Sequence, residues 1–139
     1  VLKTLHSSAH TLMGLSDAGA HCGAICDGGM PTFMLTHWTR DREDGLSLEH
    51  IVSRQTQQTA AQFGLSDRGA IKVGLRADLN VIDYDRLSLS APKMHWDLPA
   101  GGRRLAQRAQ GYVHTICHGE VIVENDELTS ARPGRLIRR

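Results

Sequence analysis

The clearest helix in the sequence occupies residues 48–63, and the chain after it carries only short segments of β type. Ser47 is a favourable N-cap, Glu49 lies in the first turn, and Gly64 stands where a helix often ends in the left-handed conformation. Apolar and small residues recur on one broad face of this helix: Leu48, Ile51, Val52, Thr56, Thr59, Ala60 and Phe63. One amphipathic helix followed by strands predicts an α+β fold.

Four short segments after the helix have β-branched residues and turn signals between them. They are residues 69–72, 79–84, 112–118 and 121–124. Residues 112–124 predict a hairpin that turns at Gly119 and Glu120. Residues 103–110 are compatible with one or two helical turns. Before the helix, residues 11–15 predict a strand, and residues 19–44 predict a long irregular connection, because glycine and proline interrupt them.

Composition excludes several classes of partner. Sixteen basic and fifteen acidic residues leave a net charge of +1, which gives no basis for binding nucleic acid or an anionic membrane. No apolar run approaches the roughly 18 residues that a membrane-spanning helix needs. Three cysteines without disulfide-framework spacing predict a cytoplasmic protein.

Asp17 is the main catalytic candidate. It follows the predicted strand 11–15 among small residues, and His21 lies four positions later. Carboxylates at the C-terminal ends of strands are typical catalytic groups in (β/α)₈ barrels. The alternative is that Asp17 caps a turn through an Asx hydrogen bond, and spacing alone leaves both open.

Several motifs resemble the N-acyl-D-amino-acid deacylase (D-aminoacylase) branch of the amidohydrolase superfamily. GLSDAGAH at residues 14–21 is similar to the segment around the last barrel strand, and GLRADLNVID at residues 74–83 to the entry into the small β-domain. HWTR at 37–40, FGLSDRG at 63–69, DLPAGG at 97–102 and PGRL at 133–136 extend the likeness along nearly the whole chain.

This resemblance implies a C-terminal portion of a larger enzyme. Residues 1–68 would be the last strand, loop and helix of a (β/α)₈ metal-dependent hydrolase barrel, and residues 69–139 a small β-sandwich-like domain. Asp17 would approach a zinc ion and act as the proton shuttle of amide hydrolysis. The chain contains no His-x-His pair, so the other zinc ligands would lie upstream. The isolated chain would then bind no zinc and be inactive.

Other residues are weaker candidates. His21 would support Asp17 or contact substrate, and Arg40 would pair with a substrate carboxylate unless it is a solvated loop residue. A metal cluster of His21, Cys22, Cys26 and Asp27 has only a weak spacing signal. Among the other histidines, His6 and His10 are interpreted as a surface pair instead of metal ligands, and His95, His114 and His118 as structural groups.

The predicted function is metal-dependent hydrolysis of a non-peptide C–N amide bond, with an N-acyl-D-amino acid as the small-molecule substrate. Two alternatives remain: a non-catalytic β-rich interaction module, and a cyclic-amide hydrolase of the hydantoinase or dihydropyrimidinase type. We also expect a homo-oligomer, because an isolated barrel strand and helix would expose apolar surface.

Overall fold

A computed structural model describes residues 1–14, 16–17 and 22–137 of the chain, and its helices precede its strands. The α-helices are α1 (Leu2–Ser7), α2 (Met30–Thr36), α3 (Leu48–Gln55) and α4 (Gln57–Gln62). Single 3₁₀ turns occupy Asp27–Gly29 and Pro99–Gly101, and a π-helical turn, His37–Asp41, extends α2.

Within the described residues, eight short strands follow the helices, and every pair is antiparallel. They are β1 (Leu79–Ile82), β2 (Ser88–Leu89), β3 (Lys93–Leu98), β4 (Gly102–Ala106), β5 (Ala109–Gln110), β6 (Tyr112–Cys117), β7 (Glu120–Glu124) and β8 (Glu127–Leu128). One sheet has the order β1-β6-β7-β8, while β2–β5 and β3–β4 form separate two-stranded ladders. The α+β class is confirmed, whereas the barrel and sandwich assignments stay predictions.

The prediction of an irregular connection over residues 19–44 is wrong for residues 27–41, which are helical. Pro31 lies in the first turn of α2, where a missing backbone N–H costs nothing. Met34, Leu35 and Trp38 then share a buried face. The glycines that suggested a loop precede this helix instead of interrupting it.

The helix predicted at residues 48–63 is present but divided. The Ser47 side chain accepts a hydrogen bond from His50 N at 3.3 Å, which confirms the N-cap. Thr56 has φ −121° and ψ −88°, so the helix breaks there into α3 and α4. Gly64 has φ 64°, the left-handed conformation expected after a helix end.

Three further predictions of local structure are wrong. Residues 11–14 of the predicted strand 11–15 have no regular secondary structure, because no neighbouring strand pairs with them, and Leu15 lies outside the described residues. Residues 69–72 form bends and connections instead of a strand. Residues 103–110 belong mainly to β4 and β5, whose pairing with β3 and β2 overrides their helical propensity.

The buried core joins the helical and strand-rich parts of the chain. Met34, Leu35, Trp38 and Ile51 come from the helices, and Leu87 comes from the connection between β1 and β2. Ile51 and Leu87 are fully buried. Residues 1–68 and 69–139 therefore share apolar contacts. The proposed division of the chain into these two parts stays a prediction.

Candidate functional site

Asp17 lies at a surface cavity with a volume of about 480 Å³. The residue is exposed and has φ 57°, a left-handed conformation that Asp adopts more readily than most residues. Ser16 and Asp27 contribute to the same lining. The structure therefore places two carboxylates at one cavity of a size typical of small-molecule sites.

Apolar side chains form another part of the lining: Met30 and Phe33 from α2, and Leu89 from β2. Phe33 stacks on His37 with ring centroids 4.7 Å apart and an interplanar angle of 14°. This contact orients the Phe33 ring, although the residue remains 43% exposed. The cavity thus combines an acidic and an apolar lining.

Gln107 completes the lining from the strand-rich part of the chain. Its Nε2 donates a hydrogen bond to the Ser90 carbonyl at 3.0 Å. A Cβ placed on Gly29 would lie 2.9 Å from Gln107 Oε1 and 2.9 Å from Leu89 Cδ2. Glycine at position 29 therefore lets the helical part approach the Leu89 and Gln107 side chains closely.

The β3–β4 hairpin contacts the segment that leads into this cavity. Leu105 N donates to the Cys22 carbonyl at 2.5 Å, so β4 pairs locally with residue 22. A Cβ placed on Gly23 would lie 4.0 Å from Arg103 Nε, so this side chain passes close to the segment. The backbone of β4 therefore contacts the start of the segment that carries Asp27.

Arg40 makes structural contacts. Its Nη1 donates to the carbonyls of Tyr84 at 2.7 Å and Leu87 at 2.9 Å, while its Nε donates to Asp41 at 2.8 Å. The hydrogen bond from Arg40 to Asp41 raises the pKa of the guanidinium. These contacts fix the π-helical turn to the connection between β1 and β2. Pairing of Arg40 with a substrate carboxylate stays a prediction.

The metal candidates do not assemble into a site within the described residues. His21 lies outside them, and no three His, Cys, Asp or Glu side chains in the described ranges lie close enough to hold an ion. Asp17 and Asp27 alone would leave a four-coordinate zinc incomplete. The described residues therefore do not fit a complete zinc site.

Other histidines that the sequence singled out lie elsewhere. His114 is in β6, where its Nδ1 is buried without a described partner, and His118 is in the β6–β7 turn. Trp96 is exposed on β3. His95 lines a separate cavity of about 470 Å³ together with Arg86, Lys93, Arg108, Asp126 and Glu127.

The family of the chain follows from comparison with known sequences. The sequence model of the amidohydrolase family matches residues 2–123. The chain belongs to the amidohydrolase family. This membership confirms the family resemblance of the GLSDAGAH and GLRADLNVID segments, whereas their places in a barrel and a β-domain stay predictions.

Relatives within the amidohydrolase family include several deacylases. N-acyl-D-glutamate deacylase of Alcaligenes xylosoxydans xylosoxydans is 35% identical over 111 residues, covering 80% of this chain and 20% of that protein. D-aminoacylase of the same organism is 32% identical over 107 residues, covering 76% and 20%. An allantoinase of Solibacter usitatus is 30% identical over 95 residues, covering 68% and 21%.

A solved structure agrees with these sequence relationships. The crystal structure of D-aminoacylase matches with a TM-score of 0.60 and 30% identity, covering 78% of this chain and 21% of that chain. The predicted D-aminoacylase branch is confirmed. The amidohydrolase-family chain spans about a fifth of the length of the relatives it matches.

Most of the cavity lining was not predicted, including Met30 and Phe33. Leu89 and Gln107 follow Asp17 by more than seventy positions and carry no motif that marks them as functional. Only the packing of the β2–β5 region against α2 brings them to Asp17. Within the described part of the chain, no helix has the length and apolar character needed to cross a bilayer.

Proposed function

We propose that this chain supplies the acid–base aspartate of a hydrolase that removes the acyl group from N-acyl-D-amino acids. The observation that carries the proposal is the exposed Asp17 carboxylate at a cavity with an apolar lining. Membership of the amidohydrolase family and the deacylase relatives support the reaction class. The activity would belong to a longer protein, because this chain spans only about a fifth of the length of these relatives.

Asp17 has the chemistry that amide hydrolysis requires. Its carboxylate accepts a proton from the water that attacks the amide carbon. It then returns that proton to the leaving nitrogen, because an amine leaves far more readily than an amide anion. The exposure of Asp17 leaves its oxygens accessible to both water and substrate. We assign no proton transfer to Asp27, although it shares the cavity.

Zinc dependence is part of the proposal, but the described residues do not provide the ion with a complete ligand set. When bound in the longer protein, zinc would supply a water of lowered pKa. Most of its ligands would have to come from residues other than those described. Asp17 is the residue we assign to approach it, and His21 is assigned a supporting role.

The test replaces Asp17 with Asn in the longer protein that contains this chain. The amide is nearly isosteric but accepts no proton, so kcat for an N-acetyl-D-amino acid should fall by a factor on the order of 10²–10⁴. Glu43→Gln, which neutralises an exposed acid outside the cavity, is the matched control and should retain activity. Near-normal kcat in the Asp17 variant would contradict the assignment.

A cyclic-amide hydrolase is the second candidate, because the relatives include allantoinases of 30% and 29% identity. The same proton transfers by Asp17 would open a cyclic amide. Assaying the longer protein on a hydantoin, a dihydropyrimidine and N-acetyl-D-amino acids separates the two candidates. Hydrolysis of the cyclic substrates alone would favour the second, and no hydrolysis of any would favour a non-catalytic module.

A further inference from the structure

The apolar lining of the Asp17 cavity is built on regular elements that are tied to the core. Met30 and Phe33 belong to α2, whose neighbouring residues Met34 and Leu35 are buried in the core. Leu89 belongs to β2, which pairs with β5 through Ala109. An apolar surface held on rigid elements is suited to bind a ligand group in one place.

Contacts within the protein position the side chains of this lining although it faces solvent. The Phe33 ring is 43% exposed and is nevertheless oriented by its stack on His37. Leu89 and Gln107 approach Gly29 so closely that a methyl group there would collide with both side chains. The Gln107 carboxamide is also fixed by its hydrogen bond to the Ser90 carbonyl.

The charge of the cavity selects the part of the substrate that binds there. Asp17 and Asp27 both line it, and two carboxylates repel a further anion. The α-carboxylate of an N-acyl amino acid, or an acidic side chain, is therefore disfavoured in this cavity. The acyl chain is uncharged, lies next to the scissile bond, and matches the apolar lining.

We propose that Phe33, Leu89 and Met30 form the subsite for the acyl chain of the substrate, and that they set the preference for chain length. This inference rests on the proposed deacylase function. Each methylene buried on such a lining should raise kcat/KM by about fourfold. The three side chains thus act in specificity, while Asp17 acts in proton transfer.

The experiment uses the longer protein and one D-amino acid that carries an acetyl, a butyryl or a hexanoyl group. The wild type should favour the longer acyl groups. Phe33→Ala and Leu89→Ala should each lower the hexanoyl-to-acetyl ratio of kcat/KM by about tenfold, mainly through KM. Leu128→Ala is the control, because Leu128 is exposed on β8 and does not line the cavity.

The outcomes separate this inference from the function on which it rests. Phe33 is partly exposed, so its variant remains informative even if Leu89→Ala fails to fold. Unchanged ratios in folded variants of an active enzyme would overturn the subsite and leave the deacylase function intact. A change in preference among D-amino-acid side chains, with the acyl group fixed, would overturn the assignment to the acyl chain. No hydrolysis of any N-acyl amino acid by the wild type would overturn both proposals.

Discussion

Arg54 is a buried cation without a carboxylate partner among the described residues. It is 3% exposed, and its Nη atoms donate to Gln58 Oε1 at 3.2 Å and Thr11 Oγ1 at 3.1 Å. Its Nε has no described partner. Two neutral acceptors compensate a buried charge poorly, so the guanidinium carries a desolvation cost.

We therefore expect Arg54→Met to increase the free energy of unfolding of the chain, by about 1 kcal/mol. Burial lowers the pKa of His6, and the charges of Arg54 and then His50 lower it further. Removing the Arg54 charge should accordingly move the pKa of His6 upward, toward 6.5. Urea denaturation and a proton NMR titration measure the two effects.

Arg54→Lys is the matched control, because it keeps the charge and removes the planar donor group. It should be less stable than Arg54→Met. If the Met variant were the less stable of the two, the hydrogen bonds to Gln58 and Thr11 would outweigh the desolvation cost. A His6 pKa that did not rise would contradict the electrostatic contribution of Arg54.

Sequence reasoning at the residue scale selected Asp17 because its chemistry and its motif both marked it, and the structure places it at a cavity, while its catalytic role stays a prediction. It missed the environment of Arg54, whose acceptors include Thr11, forty-three positions away. It also left the structural contacts of Arg40 unseen, because they are made to backbone carbonyls. Backbone acceptors have no sequence signature, so such contacts emerge only from the packing of elements.

At the scale of elements, Asp78 links the segment after α4 to two strands of the main sheet. Its carboxylate accepts hydrogen bonds from His118 N at 2.8 Å, Arg68 Nη1 at 2.9 Å and Arg76 Nε at 3.1 Å. The ADL stretch that marks the family therefore has a structural role at this position. It holds the start of β1 beside the β6–β7 turn.

The Asp78 contacts predict a loss of stability in acid. Partial burial is the largest influence and raises the pKa of Asp78, but the His118 N–H and the Arg76 and Arg68 guanidiniums together hold it below 3.8. A carboxyl group with a lowered folded-state pKa stabilises the fold above its unfolded pKa, and this contribution disappears as pH falls through the folded value. Its contribution should therefore be full at neutral pH and decline below about pH 4.

Asp78→Asn should lower the free energy of unfolding at pH 7 by about 1–2 kcal/mol, a value reduced for partial solvent screening. The difference from wild type should shrink in acid, which urea denaturation at several pH values measures. Asp97→Asn breaks a solvent-exposed pair with Arg104 and should have little effect. An equal loss in both variants would argue against a special role for Asp78.

Helices and strands differed in how well the sequence predicted them. The helix at residues 48–63 had a cap, which is confirmed, whereas the helix breaks at Thr56 and its predicted apolar face is only partly buried. Residues 30–41 were missed, because glycines precede the helix, Pro31 lies in its first turn, and its apolar face covers little more than two turns. The two-residue strands β2 and β5 are fixed by pairing with each other, which no local pattern encodes.

At the scale of the whole molecule, family and fold class followed from the sequence, whereas the cavity did not. Asp17 and Asp27 are near each other along the chain, but Leu89 and Gln107 reach the cavity through tertiary packing. The apolar face predicted for the helix at residues 48–63 is also only partly buried. Ile51 is fully buried, while Val52 is 42% and Phe63 is 61% exposed.

Self-association, which we expect to be mediated partly by residues 1–64, would bury those exposed side chains. Burying each of them in a contact between two copies would contribute roughly 1.5–3 kcal/mol, before the cost of association. We expect sedimentation velocity to show a dimer or concentration-dependent association of the chain.

Phe63→Glu should weaken association by at least about tenfold, because it places a charge in an apolar contact. Leu128→Glu alters an even more exposed apolar residue outside residues 1–64 and should leave association unchanged. If the Leu128 variant alone dissociated the protein, the contact would lie on β8, and a monomer at all concentrations would exclude self-association through either surface.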